Sequence, residues 1–508
     1  MAALAERPLV PRGTHSRKDE NKHKHEHRGE HTARHSVFAR IAHAAMPRTT
    51  PARLRAGVAA TALLACCLAA VSVAFSAGLT TSFQAIGQRD APEVNAATGL
   101  YFSLNDMDAQ VANMLLAGED AALAHDRSQD MASYEKDRAT ADADLQQAAV
   151  TAATNSAAQA ELQSVLEGMG QFETLSAQAL LTDQQDARAA GPAPAAAAGY
   201  YRQATDLMRT RILPAVSSLT TVSADELTGS YEAGRSTASS AIGVVITVGL
   251  ALLAALVVFQ VYLAVRFRRM VNPALAAATL LTLVMMIVTV TLLGSESEHL
   301  RVAKQDAFDS IIALTQARAV SYDANADESR YLVDPGRAAQ YQQSFLAKSQ
   351  LLANVGNVGI YQYDSALAQD VSAYQAGNSD VRFGGYLGAE FHNITFPGER
   401  AAAVRTMLAY QAYERDDRVL RSLAKTNMAA AVAYDTGTAP GQSDWAFNRY
   451  SAALSSLITI NENAFTAAVT AGKDDGGPQA ATLPAAGALL IAVLVLLGVR
   501  PRLAEYRH

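Results

Sequence analysis

Ala241–Val265 reads AIGVVITVGLALLAALVVFQVYLAV, Arg266–Asn272 reads RFRRMVN, and Pro273–Leu293 reads PALAAATLLTLVMMIVTVTLL. Two apolar runs sit back to back around a short basic turn. About 20 apolar helical residues cross the roughly 30 Å hydrocarbon core of a bilayer, so each run can span it. The turn is too short to be a domain. The stretch reads as a transmembrane hairpin with a cytoplasmic turn, and the rest of the 508-residue chain is organised around it.

Charge-free windows of this length occur four times, at Ala56–Gln88, Ser236–Val265, Met270–Ser295 and Gly476–Val499. A charge inside such a window would cost about 2.5–3.5 kcal/mol at the helix centre, so four empty windows predict four spans: 56–79, 241–265, 273–293 and 482–499. Arg53 and Arg55 precede the first span, Arg266, Arg268 and Arg269 follow the second, and Arg500 and Arg502 follow the fourth. Cytoplasmic flanks are enriched in Lys and Arg. That rule puts all three basic pieces inside and leaves two long segments, 80–240 and 294–481, outside. It predicts a multi-pass plasma-membrane protein with both termini in the cytoplasm. Residues 1–55 carry 12 Lys/Arg against 5 Asp/Glu, residues 79–240 carry 9 against 21, and 294–481 carry 15 against 21. The outer segments are therefore acidic and offer no basic patch for nucleic acid.

Cys66 and Cys67 are the only cysteines and both lie in the first span, so no disulfide framework is expected. Leu63-Leu64-Ala65-Cys66 has the look of a lipoprotein cleavage box. The long basic region before it and the apolar run continuing to Leu79 favour an uncleaved anchor. The tail 1–55 is polar and His-rich and cannot bury enough apolar surface to order itself. A His-rich tract can bind Zn²⁺ or Ni²⁺, which makes His23, His25 and His27 weak metal candidates. The simpler reading is a solvated basic tail beside anionic headgroups. No metal or cofactor is expected.

The first outer segment carries narrow helical stripes, Leu100/Leu104/Met107/Val111/Met114 and Leu162/Val165/Met169/Phe172. Breaks at Gly118–His125, Asn155-Ser156 and Gly191–Pro194, with a kink at Pro214, divide it into four long helices. The second segment repeats the plan. A long helix over 295–333 ends at Asp334-Pro335-Gly336. One helix carries Tyr341, Phe345, Lys348 and Leu352, and another carries Tyr363, Leu367, Val371 and Tyr374 and ends at Gly377-Asn378. An irregular aromatic stretch over Val381–Gly398 follows, then helices over 399–434 and 443–473, with Ser443 as N-cap. The fold class is all-α: four transmembrane helices with two extracytoplasmic, four-helix-bundle-like domains in a tandem in–out–in repeat, cytoplasmic turn 266–272 and cytoplasmic terminus 500–508. Leu104–Gln110 and Ala324–Arg330 mark corresponding places in the two halves.

No phosphate loop, His-Glu-x-x-His, Gly-x-Ser-x-Gly or kinase signature is present. No catalytic residue is expected, and the spans hold no ionisable residue to serve as an ion relay. The most polar helical cluster is Tyr322–Tyr331. Asp323, Asp327 and Arg330 lie at i, i+4 and i+7 on one face, flanked by Asn325, Glu328 and Ser329. An outer surface that binds a ligand or partner is one reading, because an arginine forks carboxylates and acids hold amino groups. An internal ion pair is the other. Asn105, Asp106 and Asp108 carry the same two readings. Val381–Phe396 reads as a binding loop or as core aromatics, and Asn393-Ile394-Thr395 matches a glycosylation acceptor. Arg266, Arg268, Arg269, Arg500 and Arg502 are the candidate cytoplasmic contacts.

Tyr322–Leu332, Tyr410–Arg418, Ile458–Asn461 with Phe465, and the terminus Arg500–Arg507 resemble the GlnX-like four-pass membrane proteins of actinobacteria. With the topology, the resemblance covers about residues 56–507. It implies a non-enzymatic relay in which a glutamine/glutamate-binding lipoprotein outside, this chain in the membrane, and the soluble Ser/Thr protein kinase G inside act in sequence. Alternatives from the residues alone are an envelope scaffold and an ectodomain that senses a small molecule directly.

Overall fold

The structure is a computed structural model. It describes residues 49–151, 155–267, 272–378 and 380–504. The His-rich tail, with His23, His25 and His27, and the turn residues Arg268 and Arg269 lie outside the described residues.

Among the described residues the fold is helical, without β-strands. The chain begins with α1 (Thr50–Ala85), α2 (Ala91–Ala117), α3 (Ala124–Thr151), α4 (Ser156–Gln185) and α5 (Ala195–Leu207). α6 (Leu213–Phe267) and α7 (Pro273–Arg301) follow, then α8 (Asp309–Val333), α9 (Ala338–Leu352) and α10 (Ile360–Ala373). The last elements are α11 (Gly385–Asn393), α12 (Glu399–Thr426), α13 (Met428–Asp435), α14 (Ser443–Asp475) and α15 (Pro478–Ala504). Short π-helical turns at Ile86–Asp90, Met208–Ile212 and Val302–Phe308 interrupt otherwise continuous helix. Pro214 lies just past the second of these, where its missing N–H does least harm.

Four helical stretches are long and apolar enough to cross a membrane: Thr50–Ala117, Ala195–Arg266, Pro273–Val333 and Ser443–Ala504. The chain is multi-pass by that measure. It divides into two compact units. One is built from residues up to Leu68, Val248–Val284 and residues from Ala486 onward. There Phe259 packs so closely on Gly57 that a Cβ would lie 2.8 Å from the ring. The Gln260 amide donates to Thr279 Oγ1 (2.7 Å) and the Leu275 carbonyl (3.0 Å), and Asn272 donates to the Gly498 carbonyl (2.7 Å). Small residues and interhelical hydrogen bonds hold helices together where lipid supplies no hydrophobic drive. Cys66 and Cys67 are exposed, free thiols.

The other unit is Ala69–Thr247 together with Met285–Ala485. The two segments expected as separate bundles are packed as one body. One apolar core draws Leu104, Met107, Val165, Phe172 and Tyr201 from the first segment and Leu332, Leu420 and Val432 from the second. A second core lies within residues 314–458 and mixes aliphatic side chains with aromatic ones, among them Phe345, Tyr363, Tyr410, Tyr413, Phe447 and Tyr450. The physical reason is local. The α2 stripe at Leu100–Met114 is buried nearly all round, so a four-helix bundle alone cannot cover it and α8 supplies the remaining wall.

Three local expectations change. Val381–Gly398 contains a helix, α11, whose Phe391 stacks edge-on against Phe383 (5.1 Å) and Tyr374 (4.9 Å). The aromatics are core, not a loop surface. The helix expected over 399–434 breaks at Asn427, whose side chain accepts from the Ala430 N–H and restarts the chain as α13. Ser443 opens α14 without capping it; its hydroxyl donates to Glu328 instead (3.3 Å).

Candidate functional site

The polar cluster of α8 lies inside the second unit, enclosed between the two segments. Arg330 is fully buried. Its guanidinium donates to Asp327 Oδ1 (2.7 Å) and Asp323 Oδ1 (3.0 Å), one and two turns back on its own helix, and to Asp108 on α2. Lys348 of α9 closes the group, 2.5 Å from Asp327 Oδ2 and 2.7 Å from Asp323 Oδ1. Thr205 of α5 donates to Asp108 Oδ1 (3.1 Å), and the Tyr201 hydroxyl reaches the Asp108 carbonyl (3.3 Å). Three carboxylates and two cations thus join α2, α5, α8 and α9. Burial pushes the Asp323 carboxyl up, but Lys348 and Arg330 outweigh it and hold it at about 2. Burial likewise opposes the charge of Arg330, and Asp108 and Asp327 overcome it and raise its pKa. The group is internally paired.

A second buried group adjoins it through the neighbouring residue. Glu328 accepts from the Tyr413 hydroxyl (2.9 Å) and from Ser443. Arg421 forks onto Asp417 (2.7 and 2.9 Å) and stacks between Tyr331 (4.7 Å) and Phe345 (5.0 Å). Acids outnumber cations here. Burial, then Asp417 and Asp435, push Glu328 well above the carboxylate range, and burial pushes Asp435 to about 7. Burial thus disfavours the charged form of both carboxyls.

A third group lies on α2 and α3. Half-buried Asp106 faces Asp137, and burial and that second carboxyl raise it strongly. Asp130 is pushed to about 7 by burial, then by Asp126. Asn113 of α2 accepts from Ser329 of α8 (2.7 Å), which ties this group to the seam. Rim pairs continue the join: Arg202 forks onto Asp334 (2.6 and 2.5 Å) and Arg337 onto Asp206 (2.8 and 3.1 Å).

The face shared by Asp323, Asp327 and Arg330 is as their spacing predicts, and Asp108 joins them. The outer contact surface is corrected: Asp323, Asn325, Asp327, Glu328, Arg330, Asn105 and Asp108 are all buried, because α2 and α8 pack directly on each other. Asn105 donates back to the Tyr101 carbonyl of its own helix (2.9 Å). Asn393 spends its amide on the Gln305 and Asp306 carbonyls and Ser310 (each 3.0 Å), so it serves packing. Lys348, Thr205, Asn113, Tyr413, Arg421 and Asp435 are not among the site candidates read from the sequence. Lys348 had a signal: it stands in an apolar stripe with Tyr341, Phe345 and Leu352, and a buried lysine requires a counter-charge.

Outside the seam, a cleft of about 520 Å³ opens beside the α2–α3 turn, lined by Met114, Glu119, Arg127, Met131 and Glu135. Arg127 donates to the Gly118 carbonyl (2.9 Å) and to Glu119. No cluster of His, Cys, Asp or Glu among the described residues has the geometry to hold a metal ion.

Residues 82–232 match the family model described as an actinobacterial sensor domain. The match covers most of the first segment, α2 to α5 with the start of α6, and assigns it a sensing or signalling role. No curated protein and no solved structure matches the chain.

Proposed function

We propose that the chain is a non-enzymatic transmembrane transducer. In this reading it relays the state of an extracytoplasmic amino-acid-binding lipoprotein to a soluble Ser/Thr kinase. The observation that carries the proposal is the buried contact of Asp108 with Arg330. It ties the sensor-matched segment to a second segment 222 residues away, through charges that have one low-energy arrangement. Separating the paired side chains would strand buried charges, so the seam resists displacement and couples the two segments. A partner that shifts α2 against α8 would therefore be felt in both segments. The resemblance to GlnX-like proteins supplies the partners, and the basic flanks supply the orientation, with Arg266, Arg500 and Arg502 facing the kinase.

The test is reconstitution of the full chain in nanodiscs with the lipoprotein and the kinase. Capture of the lipoprotein that depends on glutamine or glutamate, together with kinase binding at the Arg-rich face, is the expected result. Absence of both interactions would sink the relay. Surface labelling of single cysteines placed at residue 272 and in 294–481 checks orientation, since labelling of residue 272 from outside would reverse it. A second reading, direct sensing of a small molecule, is favoured by the cleft at Arg127. Calorimetry of the full chain with amino acids and no lipoprotein separates the two.

A further inference from the structure

The surface of the second segment carries one feature that the seam does not explain. α12 and α14 pack side by side and leave between them a groove of about 320 Å³. Its floor is Ala409 and Ala412 from α12 and Ala446 and Ala453 from α14. Its rim is Arg405 on one helix and Trp445 with Arg449 on the other. A larger side chain at any of the four alanines would close the space, as core positions elsewhere are closed. The volume falls at the lower end of small-molecule sites, roughly 300–1,000 Å³.

The chemistry of the rim is specific. Trp445 is the only tryptophan in the chain, and Arg449 lies over its ring at 4.8 Å. Elsewhere in this segment Arg330 is spent on Asp108, Asp323 and Asp327, Arg337 on Asp206, and Arg421 on Asp417, while half-buried Arg318 lies over the Phe102 ring. Arg405 and Arg449 have no carboxylate partner among the described residues, and no acidic residue lines the groove. Two unpaired guanidinium groups flanking an apolar floor, on a segment with 21 acids against 15 bases, form a local positive patch. A guanidinium binds a carboxylate with paired N–H donors. An indole face beside it takes an apolar or aromatic body.

We propose that the groove between α12 and α14 is a binding site for an organic anion with an apolar body. Its carboxylate is held by Arg405 and Arg449, and its body lies on the alanine floor against Trp445. The site is separate from the Arg127 cleft and from the seam, and it stands whether or not the relay does.

The lone indole makes the site directly observable. The full chain in zwitterionic nanodiscs is titrated with 4-phenylbutyrate and, as a neutral match, with 4-phenylbutanol, while tryptophan emission is followed at excitation that tyrosine does not share. The expected result is a saturable change with the acid, and a response to the alcohol about tenfold or more weaker, the value of one charge-assisted contact. Arg405→Gln, at an exposed position, should weaken the acid by a similar factor and leave the melting temperature unchanged. Ala409→Phe should abolish both responses by filling the floor. Equal affinity for acid and alcohol overturns the proposal, as does a non-saturable response or an Arg405→Gln variant that binds like the parent. An indole emission that shifts with protein concentration alone also overturns it, since a second copy of the chain would then cover the groove.

Discussion

Replacing Arg330 with Met tests the seam where it is most exposed to failure. Arg330 is buried and pairs with three carboxylates. Lys348 also touches two of these, Asp323 and Asp327, so the stranded group after the change is Asp108, left with only the Thr205 hydroxyl. Removing one partner of a buried ion pair costs about 3–5 kcal/mol, because the other charge stays behind in low dielectric. Reversible two-state unfolding is a poor assumption for a membrane chain, so the assay is native-state hydrogen exchange of the α2 and α8 amides, which reports local opening. A loss of about 3–5 kcal/mol corresponds to exchange faster by about two to four orders of magnitude. Adding Asp108→Asn to Arg330→Met removes the stranded charge and should restore at least about 1 kcal/mol, the coupling expected of residues in direct contact. Exchange in Arg330→Met within about threefold of the parent would refute the reasoning. So would a double variant no better than the single one, since Asp108 would then not be the charge left unpaired.

The pH dependence has a definite sign. Asp130 and Asp435 are pushed to about 7 and Glu414 to about 8, chiefly by burial, whereas unfolded carboxyls titrate near about 4. Between about pH 4 and 8 the folded chain holds protons that the unfolded chain has lost, so stability falls as pH rises through that window. Asp323, held low, works the other way and loses its contribution only below about pH 4. A thermal melt should therefore be highest at mildly acid pH, and Asp435→Asn should flatten the decline. A melting temperature that rises from about pH 5 to 8 contradicts the assignment of buried protonated acids. Gly385→Ala should lower the melting temperature as well. Its φ is +75°, and an added Cβ would lie 2.5 Å from the Leu351 carbonyl oxygen. Such a site costs about 1–3 kcal/mol, and an unchanged melt would mean that Gly385 does not sit against the Leu351 carbonyl.

Much of this architecture follows from local chemistry, which is why it is legible in the chain. Charge-free runs of span length mark the four membrane helices. Gly118, Asp334-Pro335-Gly336 and Gly377 stop helices through backbone geometry that needs no tertiary partner. The i, i+4, i+7 spacing of Asp323, Asp327 and Arg330 puts them on one face, because the helix period alone decides that.

What α8 faces is a different matter. Helix periodicity defines a face but not its partner, and an ion pair and a solvated surface share one sequence pattern. Asp108 and Arg330 are 222 residues apart, and only the packing of α2 on α8 brings them together. The same packing turns two apparent bundles into one body and makes core of the expected contact surface. The sequence by itself determined the spans, the helices and the polar faces, since each depends on residues within a few turns of one another. Tertiary structure decided which charges are paired, which acids are pushed toward their neutral form, and that two separate stretches of chain share a single buried seam. Those outcomes depend on desolvation, and only the folded packing sets how much water each group retains.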